Sequence, residues 1–139
     1  MRSIIRQSVV LPAPAGVLYE TYIDPARHAA VTGMPVMIGA QPGSPFSAFN
    51  GSITGATLVA IPSRLFIQSW RSANFGPNDP DSTLILSFVS EGRDGRIDLV
   101  HLDVPEVDFQ GVSEGWEKYY WTPWRLYLAG TASEPPLVS

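Results

Sequence analysis

The amino-acid sequence predicts an α+β domain in which a curved antiparallel sheet of about six to seven strands surrounds one long C-terminal helix. Three observations predict this fold class. A strand pattern opens the chain, and two short helix patterns follow it directly. Apolar stretches separated by hairpin-type turns then continue to Pro105. In residues 115–128, six of the fourteen side chains are Trp or Tyr, and so large a set of aromatic side chains needs a sheet to cover it.

The composition is that of one globular domain. The chain has 139 residues, of which 45% are hydrophobic and 16% are charged, and this is enough for a single hydrophobic core. We assign residues 1–130 to this domain. Residues 131–139 include two adjacent prolines, and we expect them to form a flexible tail.

Charge and cysteine content exclude several classes of function. The chain has 13 acidic and 9 basic residues and no basic stripe, so neither nucleic acid nor an anionic membrane surface is an expected partner. The absence of cysteine excludes disulfides, thiol nucleophiles and cysteine zinc sites. No run approaches the roughly 20 apolar residues of a membrane span, and the first residues lack a secretory apolar core. These features predict a cytoplasmic protein.

The first elements are one strand and two short helices. Residues 3–11 are rich in Ile and Val and predict a strand. Pro14 is placed to open a short helix over 15–22. Asp24 is the predicted N-cap of a second helix, with a proline at its first helical position, and Gly33 is predicted to end it.

The middle of the chain predicts strands joined by tight turns. Asn50-Gly51 is a strong hairpin signal, and residues 74–80 have the composition of a loop. Successive hairpins make an antiparallel sheet. The predicted strands are 46–49, 52–61, 64–71, 82–91 and 96–104.

The last element is the aromatic helix. Ser113 is its predicted N-cap, and Glu114 and Glu117 in its first turn suit the helix dipole. Pro123 would remove one backbone hydrogen bond and is predicted to kink the helix. A kinked helix across the concave face of a bent sheet is a helix-grip architecture with room for a cavity.

Several short motifs, in order along almost the whole chain, resemble one known family. The chain resembles the domain related to the C-terminal half of the activator of heat-shock protein 90 ATPase, within the START-like (SRPBCC) superfamily. The residues that carry the resemblance are His28-Ala29-Ala30, Thr32-Gly33, Gly43, Phe46, Phe49, Gly51, Ile53, Gly55, Leu58, Trp70-Arg71, Asp81-Ser82, Leu99, His101, Pro105, Gly115-Trp116, Tyr119-Tyr120 and Pro123.

The resemblance implies a START-like fold with an internal cavity for a hydrophobic ligand. From the residues themselves we expect no metal and no cofactor. It also implies, as an alternative, a chaperone-associated or stress-related factor that acts through its surface. Some superfamily members are enzymes such as polyketide cyclases. A third possibility is therefore an enzyme of the cyclase or hydrolase type that uses His101 with a cavity tyrosine such as Tyr120.

Alternating positions on the strands supply candidate cavity residues. His101 shares a strand face with Leu99, and it is either a polar contact for a ligand or a hydrogen-bonded structural histidine. Trp70 is either a wall of the cavity or a core anchor. The neighbouring Arg71 points the other way, and it either binds a ligand carboxylate or forms a salt bridge at the rim of the sheet. The predicted ligand-binding residues are Phe66, Trp70, Phe88, Leu99, His101, Trp116, Tyr120 and Trp124.

Other residues receive simpler interpretations. On the last helix, one aromatic stripe of Trp116, Tyr120, Pro123, Trp124 and Tyr127 is predicted to face the sheet, with Tyr119 beside it and Trp121 and Lys118 on the flanks. His28 is expected to be solvated. The acidic residues of 103–117 form either a solvated rim or a docking patch for a partner. The spacing of the two histidines is not that of a metal site. We therefore expect a non-catalytic module that binds a small hydrophobic or amphipathic ligand.

Overall fold

The computed structural model describes residues 2–133 and contains a six-stranded antiparallel sheet with its helices packed around it. The first and last strands of the chain pair with each other, and the spatial order is β1-β6-β5-β4-β3-β2. The strands are β1 Arg2–Leu11, β2 Pro45–Ala48, β3 Ile53–Ile61, β4 Leu65–Ser72, β5 Ser82–Glu91 and β6 Asp94–Pro105. The predicted fold class, an α+β helix-grip fold, is therefore confirmed.

The two short helices, α1 Ala15–Ile23 and α2 Pro25–Thr32, lie where the sequence predicts them. The Asp24 side chain accepts a hydrogen bond from the backbone N–H of Ala26 at 2.9 Å, which satisfies an otherwise unpaired donor of the first turn. Gly33 ends α2 with a φ of 83°, a left-handed conformation that glycine adopts without steric cost.

The C-terminal helical segment begins earlier than predicted. It consists of α3 Glu106–Trp116, a π-helical turn Glu117–Trp121 and α4 Thr122–Ser133. The prediction of Ser113 as N-cap is wrong, because the helix starts directly after the strand-ending Pro105, with acidic side chains in its first turn. Most of the predicted tail, 131–139, lies outside the described residues.

The π-helical turn stands immediately before Pro123. In a regular α-helix the ring of Pro123 would collide with the carbonyl of Tyr119, and that carbonyl would lose its bonding partner. Here the N–H of Thr122 bonds the carbonyl of Glu117, five residues earlier, so the backbone widens at this point.

Trp121, in the same turn, lies in the hydrophobic core. This side chain was predicted on the flank, yet it is buried, and its indole N–H donates to Oε1 of Gln7 at 2.7 Å.

The core lies between the inner face of the sheet and the helices. Buried and partly exposed positions alternate over residues 65–72 of β4, 82–88 of β5 and 95–101 of β6, as the pattern of the sequence predicts. Two irregularities in register, between β1 and β6 and between β3 and β4, bend the sheet around the helix. No helix in the described part of the chain is long and apolar enough to cross a membrane.

Candidate functional site

A cavity of about 600 Å³ opens between the sheet and the C-terminal helical segment. Three parts of the fold form its walls: the turn between β2 and β3, the end of β4, and the inner face of α3 with the π-helical turn. It lies towards the β2 edge of the sheet, away from the paired first and last strands. The helix therefore grips the sheet closely on one side and leaves an opening on the other.

The lining of this cavity is mainly aromatic and apolar. Five aromatic side chains form most of the wall: Phe49, Trp70, Trp116, Tyr119 and Tyr120. Smaller or flexible residues complete the apolar part: Met34, Ile53, Gly111, Val112 and Gly115. Broad, flat apolar surface of this kind suits a planar or hydrophobic ligand.

A few polar side chains interrupt the aromatic wall: Asn50, Ser52, Ser72, Asn74 and Asp108. Asp108 is the one acidic residue of the lining, and among the described residues no arginine, lysine or histidine joins it there. Its Oδ2 atom is shielded from solvent and has no hydrogen-bond partner within residues 2–133.

Behind the wall, hydrogen bonds connect the two cavity tryptophans through His101. The Trp116 indole N–H donates to Nδ1 of His101 at 3.2 Å, so the ring proton resides on Nε2. That Nε2–H lies 2.9 Å from the hydroxyl of Ser82, which in turn donates to the backbone carbonyl of Trp70 at 2.6 Å. Burial lowers the pKa of His101 to about 3, so its imidazole is neutral near pH 7.

A second buried network joins His28 to Tyr120. Nδ1 of His28 lies 2.8 Å from the carbonyl of Tyr22, and because a carbonyl only accepts, Nδ1 carries the proton. Nε2 is then an acceptor, and the hydroxyl of Tyr120 donates to it at 2.9 Å. The Tyr22 hydroxyl donates to Oε1 of Gln68, whose side chain is also fully buried. Burial raises the pKa of Tyr120 and lowers the pKa of His28 to about 4.

The expectation that His28 is solvated is therefore wrong, because the side chain is 1% exposed. One signal in the sequence points to this burial. His28 and Val31 are three residues apart, hence on one face of α2, and they are the two buried residues of that helix. The neighbouring Arg27, which pairs with Asp24 at 3.6 Å, lies on the exposed side.

The structure divides the sequence-predicted site residues into two groups. Trp70, Trp116 and Tyr120 line the cavity. The others are buried in the core behind it: Phe66, Phe88, Leu99, His101 and Trp124. The lining residues that the sequence does not predict come mainly from the turn after β2 and from the first turns of α3, because the predicted start of this helix is Ser113.

The arrangement offers binding surface more readily than acid–base chemistry. Both imidazoles are neutral, and both of their nitrogens are engaged in hydrogen bonds. Tyr120 is hydrogen-bonded to His28, whereas the cyclase or hydrolase hypothesis requires it to act with His101. Within residues 2–133, no three His, Asp or Glu side chains are grouped closely enough to hold a metal ion.

Arg71 binds its own chain at the end of β4, on the strand face opposite the cavity residues Trp70 and Ser72. Its guanidinium donates to the carbonyls of Asp79 and Gly76 at 2.6 and 2.7 Å and forms an ion pair with Asp81 at 3.2 Å. The salt-bridge interpretation of Arg71 is thus confirmed. These bonds fix the loop 74–80, from which Asn74 reaches the cavity wall.

An antiparallel sheet around a long C-terminal helix, with an open cavity between them, defines a START-like protein of the helix-grip type. Within that class the match is specific. The family model described as Activator of Hsp90 ATPase homolog 1-like protein matches residues 12–123, and the chain belongs to this family.

Individual proteins show the same relationship. The chain is 28% identical over 119 residues to the uncharacterized protein C1711.08 of Schizosaccharomyces pombe. The aligned region is 86% of this chain and 35% of that relative, so this chain spans about a third of the relative's length. The crystal structure of PFC0360w, an HSP90 activator from Plasmodium falciparum, superposes with a TM-score of 0.82 at 18% identity, covering 91% of this chain and 96% of that one. The crystal structure of CalU16 from Micromonospora echinospora superposes with a TM-score of 0.74 at 21% identity, covering 95% of this chain and 87% of that one.

Proposed function

We propose that the protein is a non-catalytic binding module that holds a small hydrophobic or amphipathic molecule in the cavity between its sheet and its C-terminal helical segment. The observation that carries this proposal is the cavity of about 600 Å³ with five aromatic side chains in its wall. Sites for small molecules usually have about 300–1,000 Å³ and a mainly apolar lining with a few polar groups. The cavity of this protein agrees with both its volume range and the composition of its lining.

The rigidity of the wall supports the same proposal. Trp116 is held by its bond to His101, and Tyr120 by its bond to His28, so two of the five aromatic rings have fixed orientations. Preorganised side chains lose little conformational entropy when a ligand binds. The two hydrogen bonds therefore support a wall whose side chains are already oriented for a ligand.

A glycine substitution tests the cavity directly. Gly115 lies on the cavity-facing side of α3, near the end of this helix, and a Cβ built there would be 3.6 Å from the Tyr119 ring, an ordinary contact distance. Gly115→Leu should fill the cavity without disturbing the fold. The matched control is Gly130→Leu, since a Cβ at Gly130 meets no atom within 4 Å and this residue lies far along α4.

The measurement is a titration with the neutral apolar dye Nile red, followed by its fluorescence. We expect saturable binding by the unaltered protein and by Gly130→Leu, and loss of binding by Gly115→Leu. Both variants should keep their stability, because leucine favours a helix over glycine by roughly 0.5–1 kcal/mol. Equal binding by all three proteins would place the dye elsewhere and contradict the proposal.

A second candidate function is a chaperone-associated one, and the family match together with the likeness to an HSP90 activator favours it. Its test is the ATPase rate of an Hsp90 in the presence of the purified chain. Stimulation that survives in Gly115→Leu would indicate a surface-mediated role independent of the cavity. No change in rate and no binding at tens of micromolar would rule this candidate out.

A further inference from the structure

We propose that the cavity selects ligands that carry a positively charged amine, with Asp108 as the partner of the ammonium group and the aromatic wall as the contact for the rest of the molecule. This inference rests on the proposed binding function and specifies its ligand class. Two independent features of the lining lead to it, an unpaired carboxylate and a set of electron-rich rings.

The first feature is the charge of the cavity. Asp108 is the only acidic or basic side chain that the described residues contribute to the lining. Its Oδ2 atom is shielded from solvent and accepts no hydrogen bond within residues 2–133. Because the Asp108 side chain lines a mainly apolar wall, a ligand ammonium group beside this carboxylate would gain a strong, charge-assisted hydrogen bond.

The second feature is the aromatic wall. A cation close to the face of Trp, Tyr or Phe is attracted by the negative charge of the ring face. One of the lining rings already makes such a contact from outside, since Nζ of Lys118 lies 5.2 Å from the centroid of Tyr119. An ammonium group in the cavity would find ring faces and a carboxylate in the same lining, a combination that neither a neutral nor an anionic ligand uses fully.

The helical segment that forms one wall of the cavity is also acidic. α3 and the π-helical turn also carry Glu106, Glu114 and Glu117, and the whole chain has a net charge of −4. Lys118 is the one basic residue in this helical stretch, 106–121, of the described chain. The negative field attracts cations and opposes the entry of carboxylates or phosphates.

Three probes of almost equal shape separate the effect of charge from the effect of the ring. They are tryptamine, tryptophol and indole-3-acetate, which carry an ammonium, a hydroxyl and a carboxylate on an indole. Dissociation constants are measured by ligand-observed NMR at low salt. We expect tryptamine to bind about tenfold or more tightly than tryptophol, and indole-3-acetate to bind most weakly.

Variants assign the preference to Asp108. Asp108→Asn should reduce tryptamine binding to the level of tryptophol, whereas Asp108→Glu should retain the order of the three probes. The matched control is Glu106→Gln in the same helical turn, an exposed residue outside the cavity lining, and it should leave the order unchanged.

The result that overturns this inference is distinct from the one that overturns the cavity itself. Equal affinities for the three probes, tighter binding of the acid, or an unchanged preference in Asp108→Asn would refute the amine proposal while Nile red binding still stood. Failure of all three indoles, with Nile red still bound, refutes it as well. If neither Nile red nor any of the indoles binds, both the proposed binding function and the amine preference are refuted.

Discussion

The indole nitrogen of Trp116 donates a hydrogen bond to Nδ1 of His101 at 3.2 Å, and this contact joins the C-terminal helical segment to strand β6. His101 is fully buried, and its ring also packs edge-on against Trp70, with ring centroids 4.6 Å apart. One histidine thus contacts two of the aromatic residues that line the cavity. The shape of the cavity depends on this buried bond.

Replacing Trp116 with Phe should be more destabilising than the same replacement at Trp124. Both indoles are buried, but Nε1 of Trp124 has no acceptor within the described residues, whereas Nε1 of Trp116 bonds His101. Trp116→Phe leaves a buried acceptor unpaired, which should add about 1–3 kcal/mol to the loss. Urea unfolding of the two variants measures the difference. An equal or larger loss in Trp124→Phe would show that the bond to His101 contributes little.

Stability should fall as the pH is lowered from 7 to 5. The ordinary imidazole pKa of 6.5 is lowered by burial to about 4 in His28 and about 3 in His101. In this window the unfolded chain binds protons that the folded chain does not, so protons favour unfolding. Each histidine should cost about 2 kcal/mol of unfolding free energy between pH 7 and pH 5.

Urea titrations at the two pH values measure this loss, and His101→Gln should remove about half of the pH dependence. NMR titration of the imidazoles in the unaltered protein is an independent measurement. Either histidine titrating near pH 6.5 in the folded state would contradict the prediction.

Tyr120→Phe should destabilise the protein by about 1–3 kcal/mol, because it leaves Nε2 of the buried His28 without its donor. Tyr119→Phe is the control, since this neighbour lies in the same π-helical turn but is 48% exposed. Its loss should stay within about 0.5 kcal/mol. Nitrogen NMR of His28 adds a specific readout, because the Nε2 signal should shift in Tyr120→Phe alone. An unchanged signal would argue against the hydrogen bond.

Arg71→Lys should loosen the loop 74–80. The planar guanidinium bonds the carbonyls of Gly76 and Asp79 at once, and a single ammonium cannot reproduce this geometry. We expect faster amide hydrogen exchange in the loop and a loss of about 1–2 kcal/mol. The same substitution at the exposed Arg64 should change neither quantity. Unaltered exchange in Arg71→Lys would mean that the loop is held by other contacts.

The order of elements was predictable because local signals set most boundaries. Pro14, Asp24 and Gly33 delimit the two short helices, and Asn50-Gly51 marks the hairpin between β2 and β3. Each acts through its own backbone or side-chain chemistry within a few residues. The start of α3 was missed because Pro105 ends the strand and precedes the helix at once, without a capping side chain to mark the change.

The sequence by itself determined the helix-grip fold, the alternating core faces of the strands and the aromatic character of the last helix, since these follow from periodicity and local propensity. Only the tertiary structure decided which aromatic side chains face open space. Trp116 and Tyr120 line the cavity, whereas Trp124 is packed in the core. It also paired His28 with Tyr120, 92 residues away in sequence. The physical reason is that such contacts depend on how far the helix stands from the sheet, and that separation is set by packing between distant segments.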